Sequence, residues 1–199
     1  MDRMIGKEKL QGAIEGISSK SYAHRAIFCA ALSKGASQLV INHLSKDIEA
    51  SLRAVKAIGV EVKQEGSHYY ICPPDQYTSP ARIPVGESGT TLRLLLPILA
   101  ALGIEAEVIR SGSLINRTNV VYFDSFPKHG VAISQQGPSI FLKGKLEDYH
   151  FSLPGNISSQ FISGFLLASG IASQPAQIDI TTAMESKPYI DMTIDVMAH

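Results

Sequence analysis

Lys20, Ser21 and Arg25 stand close together in "SSKSYAHRAIFCAAL" (18–32), at the opening of an otherwise apolar run. The first turn of a helix leaves backbone N–H groups unpaired, and the macrodipole is positive there. Hydroxyls add donors, and Lys or Arg adds a full charge. That combination suits an anion such as phosphate or carboxylate. Two further apolar runs open in the same way: "GESGTTLRLLLPILAAL", with Gly89 and Arg93, and "GNISSQFISGFLLASG", with Ser158, Ser159 and Gln160. Arg117 in "SGSLINRTN" and Ser186, Lys187 and Tyr189 in "MESKPYI" lie just ahead of, or at, further helical segments. Capping alone accounts for the hydroxyls, since Ser, Thr, Asn and Gly are ordinary cap residues. It does not account for Lys20, Arg25, Arg93 or the Ser158-Ser159-Gln160 run.

The elements that must hold these groups recur along the chain. Ser21, Thr90 and Ser159 fall at 69-residue intervals. After each polar-headed helix comes a strand-like run: "SQLVINHL", "IEAEVIRSG" and "AQIDITTA". A second helix follows: "DIEASLRAVKAIG", "NVVYFDSFPKHG" and "KPYIDMTIDVMAH". The first two of these helices end at Gly59-Val60 and Gly130-Val131, 71 residues apart, where glycine suits a C-cap with positive φ. Two short strands then close the unit. The spacing predicts units at about 8–76, 80–147 and 148–199, each strand–helix–strand–helix–strand–strand. In the first unit Asp47 is placed as an N-cap with Glu49 in the opening turn, and Ile48, Leu52, Val55 and Ile58 form one apolar stripe. The third unit stops before its closing strands. This is read as one domain of a longer protein whose second domain is absent, with a short natural form as the alternative.

The 199 residues are 45% apolar and 18% charged, enough for a packed core. Eighteen basic residues balance eighteen acidic ones, so no global field favours nucleic acid or an anionic membrane, and an anion site must be local. "GESGTT" has no lysine where a nucleotide P-loop requires one. The six histidines are scattered without metal-ligand spacing, His24 reads as a packed or surface residue, and no paired-carboxylate motif is present. No zinc site is expected. Cys29 and Cys72 read as small core residues in a reducing compartment. The longest apolar run, Leu94 to Ile104, is too short to cross a membrane, and a cytoplasmic location is expected.

"SKSYAHRA", "SGTTLRLLLP", "INRTN", "SSQF" and "SKPYIDMT" come in the order and near the spacing of the enolpyruvyl transferases, and within them the chain resembles the EPSP synthases (3-phosphoshikimate 1-carboxyvinyltransferases). The likeness covers essentially the whole chain but only about the N-terminal half of a typical member. It implies an α/β (α+β) fold of repeated βαβαββ units forming one domain of an inside-out α/β barrel, with the third unit incomplete. It implies transfer of the enolpyruvyl group of phosphoenolpyruvate to the 5-hydroxyl of shikimate 3-phosphate in an interdomain cleft, with no cofactor. By motif, Lys20 would be catalytic and touch both ligands. Ser21 and Arg25 would hold shikimate 3-phosphate. Gly89 would allow close approach to phosphoenolpyruvate, and Arg117 would bind its anionic groups. Ser158, Ser159 and Ser186 would take the shikimate phosphate, Gln160 would sit between the ligands, and Tyr189 would line the shikimate side. Arg93 is read as mainly structural.

The chain departs from the family pattern at Ile17-Ser18, where Pro-Gly is usual, and at Glu87-Ser88, where Asn-Ala is common. An acidic Glu87 beside an anion site must point away or pair with a base. The sister enzyme acting on UDP-N-acetylglucosamine has Lys-Asn in place of Lys20-Ser21 and a cysteine in a catalytic loop; neither Cys29 nor Cys72 lies there. Two other readings remain: that sister activity, and a non-catalytic phosphate- or carboxylate-binding module on the same fold. The acid/base carboxylates belong to the absent half, so the chain alone is expected to turn over negligibly.

Overall fold

A computed structural model describes residues 11–14 and 16–199. Of the strand expected ahead of the first helix, residues 8–10 and 15 lie outside them, and residues 11–14 and 16–19 form no strand. The described elements are α1 (Lys20–Leu32), β1 (Ser37–Val40), α2 (Lys46–Ala57), β2 (Glu61–Glu65), β3 (His68–Cys72), β4 (Ala81–Gly86), α3 (Gly89–Leu102), β5 (Ala106–Arg110), α4 (Val120–Ser125), β6 (Val131–Gln136), β7 (Ser139–Gly144), β8 (His150–Leu153), α5 (Ser159–Ser169), β9 (Gln177–Ile180) and α6 (Lys187–Ala198). Short 3₁₀ turns flank α4 at Gly112–Asn116 and Phe126–His129. The strands form three separate sheets, ordered β1-β3-β2, β4-β5-β7-β6 and β8-β9. β4 runs parallel to β5 and β8 parallel to β9, while the β2–β3 and β6–β7 hairpins are antiparallel. The mixture of helices and sheets is the α/β architecture expected. Gly59 and Gly130 both have positive φ, +94° and +81°, as their helix ends require.

The most enclosed element is α3. α3 is buried on nearly every face: Leu92, Leu94, Leu95, Leu96, Ile98 and Leu99 are all at most 1% exposed. A helix apolar all round has to be enclosed by other elements, and α1, α2, α5 and the β4–β7 sheet pack against it. α2 instead shows the predicted stripe, with Ile48, Leu52 and Val55 buried and Arg53 and Lys56 exposed. Its N-cap, however, is Ser45, whose hydroxyl accepts from the Ile48 N–H; Asp47 stands inside the first turn. The cysteines are half-buried rather than core residues.

α3 contains Pro97, which has no N–H to give to the carbonyl of Arg93 four residues earlier. The buried Tyr122 hydroxyl donates to that carbonyl instead. α5 approaches at the same point through Gly164, where a Cβ would collide with the Arg93 oxygen and stand 3.1 Å from Pro97 Cγ. Gly164→Ala is therefore expected to lower the unfolding free energy by about 1–3 kcal/mol through overpacking. Urea denaturation checks it: the midpoint falls while the slope stays constant.

Candidate functional site

The beginnings of the five longer helices meet at one end of the molecule, joined in a ring of side-chain hydrogen bonds. Lys20, the first residue of α1, pairs with Asp47 in the first turn of α2 at 2.8 Å. His24 of α1 and Ser51 of α2 are 2.7 Å apart, and Ser51 stands 2.8 Å from Thr91 of α3. Gln160 of α5 donates to Thr90 of α3 at 2.9 Å. Ser163 of α5 and Thr193 of α6 are 2.8 Å apart, and Arg25 Nε closes the ring from α1 to Thr193 at 2.7 Å.

Serine hydroxyls cap the three helices that the repeat singled out. Ser19 accepts from the Tyr22 N–H, Ser88 from Thr91 and Ser158 from Gln160. These caps change the register of the repeat. Ser21 and Thr90 are the second residues of α1 and α3, and the second residue of α5 is Gln160, not Ser159. The third polar head is one residue longer before its helix begins, which a fixed 69-residue period cannot show.

The basic groups differ in how far they are committed. Lys20 is half exposed and held by Asp47. Burial tends to raise the Asp47 carboxyl, but the Lys20 ammonium outweighs it and holds the group below its ordinary value, helped by the Ser88 hydroxyl. Arg117 is exposed, and its guanidinium lies 3.1 Å from the position a Cβ on Gly89 would take. Glycine there, with no Cβ, admits the Arg117 guanidinium. Arg93 donates to Gln160 Oε1 at 3.0 Å, to Ser158 Oγ at 3.5 Å and to the Thr118 carbonyl, and its cation lies 4.6 Å from the Phe161 ring centre. Burial lowers the Arg93 pKa, and the charge of Arg117 lowers it further. Among the described residues neither arginine has a carboxylate partner. Two cations set close together without a counter-ion, beside the mouths of α3 and α5, make a ready place for an anion.

Arg25 is 2% exposed and also lacks an acidic partner among the described residues. It gives Nε to Thr193, Nη1 to the Ser21 carbonyl, and Nη2 to Ser163 and the Tyr189 carbonyl. A guanidinium has five N–H donors, so a single Nη1 donor is uncommitted. Tyr189 is half exposed, and its carbonyl is what ties the mouth of α6 to α1. Ser186 precedes α6 in the left-handed region, φ 56° and ψ 36°, with no capping bond from its side chain. Serine seldom adopts that conformation, and such strain concentrates at functional positions.

Glu87 is taken up by the turn at Gly112-Ser113. Its carboxylate takes the Ser113 N–H at 3.0 Å and the Ser113 hydroxyl at 3.2 Å, and it occupies the space a Cβ on Gly112 would need. It thus caps the turn that carries the chain to Arg117. Sequence reasoning placed Thr90 in the repeat without a role, and missed this role of Glu87 and those of Ser51 and Thr91; the only signal for them was their place in the polar heads or on the α2 face. Among the described residues no three His, Cys, Asp or Glu gather in a metal-binding group, and no helix is long and apolar enough to cross a membrane. A cavity of about 470 Å³ lies at the opposite end, against Cys29, Leu167 and Met197, far from the polar mouths.

The sequence model of EPSP synthase (3-phosphoshikimate 1-carboxyvinyltransferase) matches residues 5–199. The 3-phosphoshikimate 1-carboxyvinyltransferase of Clostridium kluyveri is 36% identical over 196 residues, covering 97% of this chain and 46% of its own length. That of Clostridium perfringens is 37% identical over 198 residues, covering 98% and 47%. The chain thus spans about half the length of the curated relatives it matches. An EPSP synthase structure from Acinetobacter baumannii superposes with a TM-score of 0.75 at 23% identity, over 88% of this chain and 41% of that one, which supports the fold. With a family match across nearly its full length, relatives above one-third identity and the same architecture, the chain belongs to the EPSP synthase family.

Proposed function

We propose that this chain is the shikimate 3-phosphate-holding part of a 3-phosphoshikimate 1-carboxyvinyltransferase, acting with a second domain and phosphoenolpyruvate. The observation that carries the reading is the shared helix mouth, where Arg93 and Arg117 stand without a described counter-ion. Ser158, Ser159 and Ser186 receive the shikimate phosphate, and Ser21 with the uncommitted Nη1 donor of Arg25 receives the carboxylate end. Tyr189 lines the shikimate ring. Arg117 and the backbone at Gly89 hold phosphoenolpyruvate. Gln160 lies between the ligands, and Lys20 leaves Asp47 to touch both. In the reaction, the 5-hydroxyl oxygen bonds to C2 of phosphoenolpyruvate and loses its proton, while the methylene carbon gains one. The methyl group then gives up a proton as the C2–O bond to phosphate breaks. Those proton transfers need positioned acid and base groups, which the second domain supplies.

Calorimetric titration of the chain with shikimate 3-phosphate tests the reading. Saturable binding is expected. Ser158→Ala and Ser186→Ala should each weaken it about tenfold, the loss of one hydrogen bond to a charged group. Turnover by the chain alone should be negligible. Absence of binding, with tight binding of another phosphorylated ligand, would overturn the assignment.

A further inference from the structure

A second line of hydrogen bonds runs behind the anion-facing groups, and its buried members take no part in the function proposed above. His24 is fully buried in α1, with Nδ1 2.7 Å from Ser51 Oγ. Ser51 Oγ is 2.8 Å from Thr91 Oγ1, and Thr91 Oγ1 is 2.8 Å from Ser88 Oγ. The Thr91 hydroxyl also reaches the Asp47 carbonyl at 3.3 Å, and the Asp47 carboxylate takes the Lys20 ammonium at 2.8 Å.

The direction of the line follows from its Asp47 end. A carbonyl and an ionised carboxylate only accept hydrogen bonds. The Thr91 hydroxyl therefore gives its one proton to the Asp47 carbonyl. Ser51 must then donate to Thr91, which leaves Ser51 to accept from His24. Nδ1 of His24 carries the proton, and Nε2 is left as a bare lone pair. Nε2 is buried and has no partner among the described atoms. An apolar side chain would fill that space without stranding a nitrogen, so packing does not account for the histidine. Its N–H toward Ser51 does.

We propose that His24 is a positioning residue for the Lys20–Asp47 pair: its Nδ1–H begins a one-way relay through Ser51 and Thr91 that fixes Asp47, and with it Lys20, at the shared mouth of α1, α2 and α3. The inference rests on the proposed shikimate 3-phosphate site only for what Lys20 is held ready to meet.

The test uses the 199-residue chain and two variants. Nitrogen-15 NMR of the imidazole should show Nδ1 protonated and Nε2 bare; a protonated Nε2 overturns the relay. The amide N–H of His24→Asn sits where Nδ1–H does, whereas His24→Leu removes the donor. Carbon-13 titration of the Asp47 carboxyl should move in His24→Asn only by the loss of the histidine's charge. It should move upward in His24→Leu by about threefold or more in proton affinity, as the Ser88 and Thr91 hydroxyls lose their set orientation. An unmoved His24→Leu, or a His24→Asn that moves equally, overturns the proposal. If His24→Leu does not fold, the tautomer and the His24→Asn titration decide. Shikimate 3-phosphate binding is measured in parallel. A chain that shows the relay signatures without binding that ligand defeats the proposed function alone, and a binding chain with the opposite tautomer defeats the relay alone.

Discussion

Arg25→Met is expected to destabilise the chain by about 3–4 kcal/mol, measured as a lower urea midpoint. Methionine fills much of the same volume, so the loss is not a cavity effect. It comes from the four acceptors the guanidinium serves: Thr193, Ser163, and the carbonyls of Ser21 and Tyr189. Hydrogen bonds to a charged group contribute about 1.5–3 kcal/mol each. The sum is offset by no longer holding a cation out of water, several kcal/mol in its own right. What remains is the penalty of leaving polar atoms unpaired where α1, α5 and α6 touch. The sign of that argument has its own check. Changing Ser163 to Ala and Thr193 to Val in the Arg25→Met background removes two of the stranded acceptors, and much of the lost stability should return. If the triple variant is no better than Arg25→Met, the packing of the side chain rather than its hydrogen bonds holds these helices together.

Arg25 also marks a limit of sequence reading. Its position in the first polar head announced a cation at a helix mouth, and by family likeness a holder of shikimate 3-phosphate. That the helix beginnings gather in one place was legible, because three similar polar heads on one repeat imply three similar orientations. The number of donors left for a ligand was not legible. It depends on Thr193 and Ser163, which lie 168 and 138 residues away in sequence and carry no motif. Asp47 shows the same limit at shorter range. An acidic residue near a helix start reads as a cap, but Ser45 two residues earlier takes that place, and Asp47 is released to reach Lys20. An acidic Glu87 is out of place beside an anion site, and in the fold its carboxylate is taken up by Ser113. Inside the enclosed α3 the Arg93 carbonyl that Pro97 leaves free is met by Tyr122, a pairing set by tertiary contact alone.

Stability should rise with pH between about 4 and 6.5, by about 3 kcal/mol in total. Burial of His24 lowers its pKa from the ordinary 6.5 to about 4. In that window the unfolded chain binds a proton that the folded chain refuses, so the slope of stability against pH is positive. The contribution is fully present above pH 6.5 and is lost as pH falls through the folded value near 4. Asp47 adds in the same direction at more acid pH, since its carboxyl is held below its ordinary value in the folded chain and must be protonated as the chain unfolds in acid. His24→Asn separates the two: it keeps the donor to Ser51 but does not titrate, so the slope between 4 and 6.5 should flatten while the acid limb stays. An unchanged slope in that variant would mean that His24 takes up its proton in the folded state, and a charged imidazole has an N–H at both nitrogens. A bare Nε2 and acid-labile stability thus have one cause, a histidine kept neutral by the helices that enclose it.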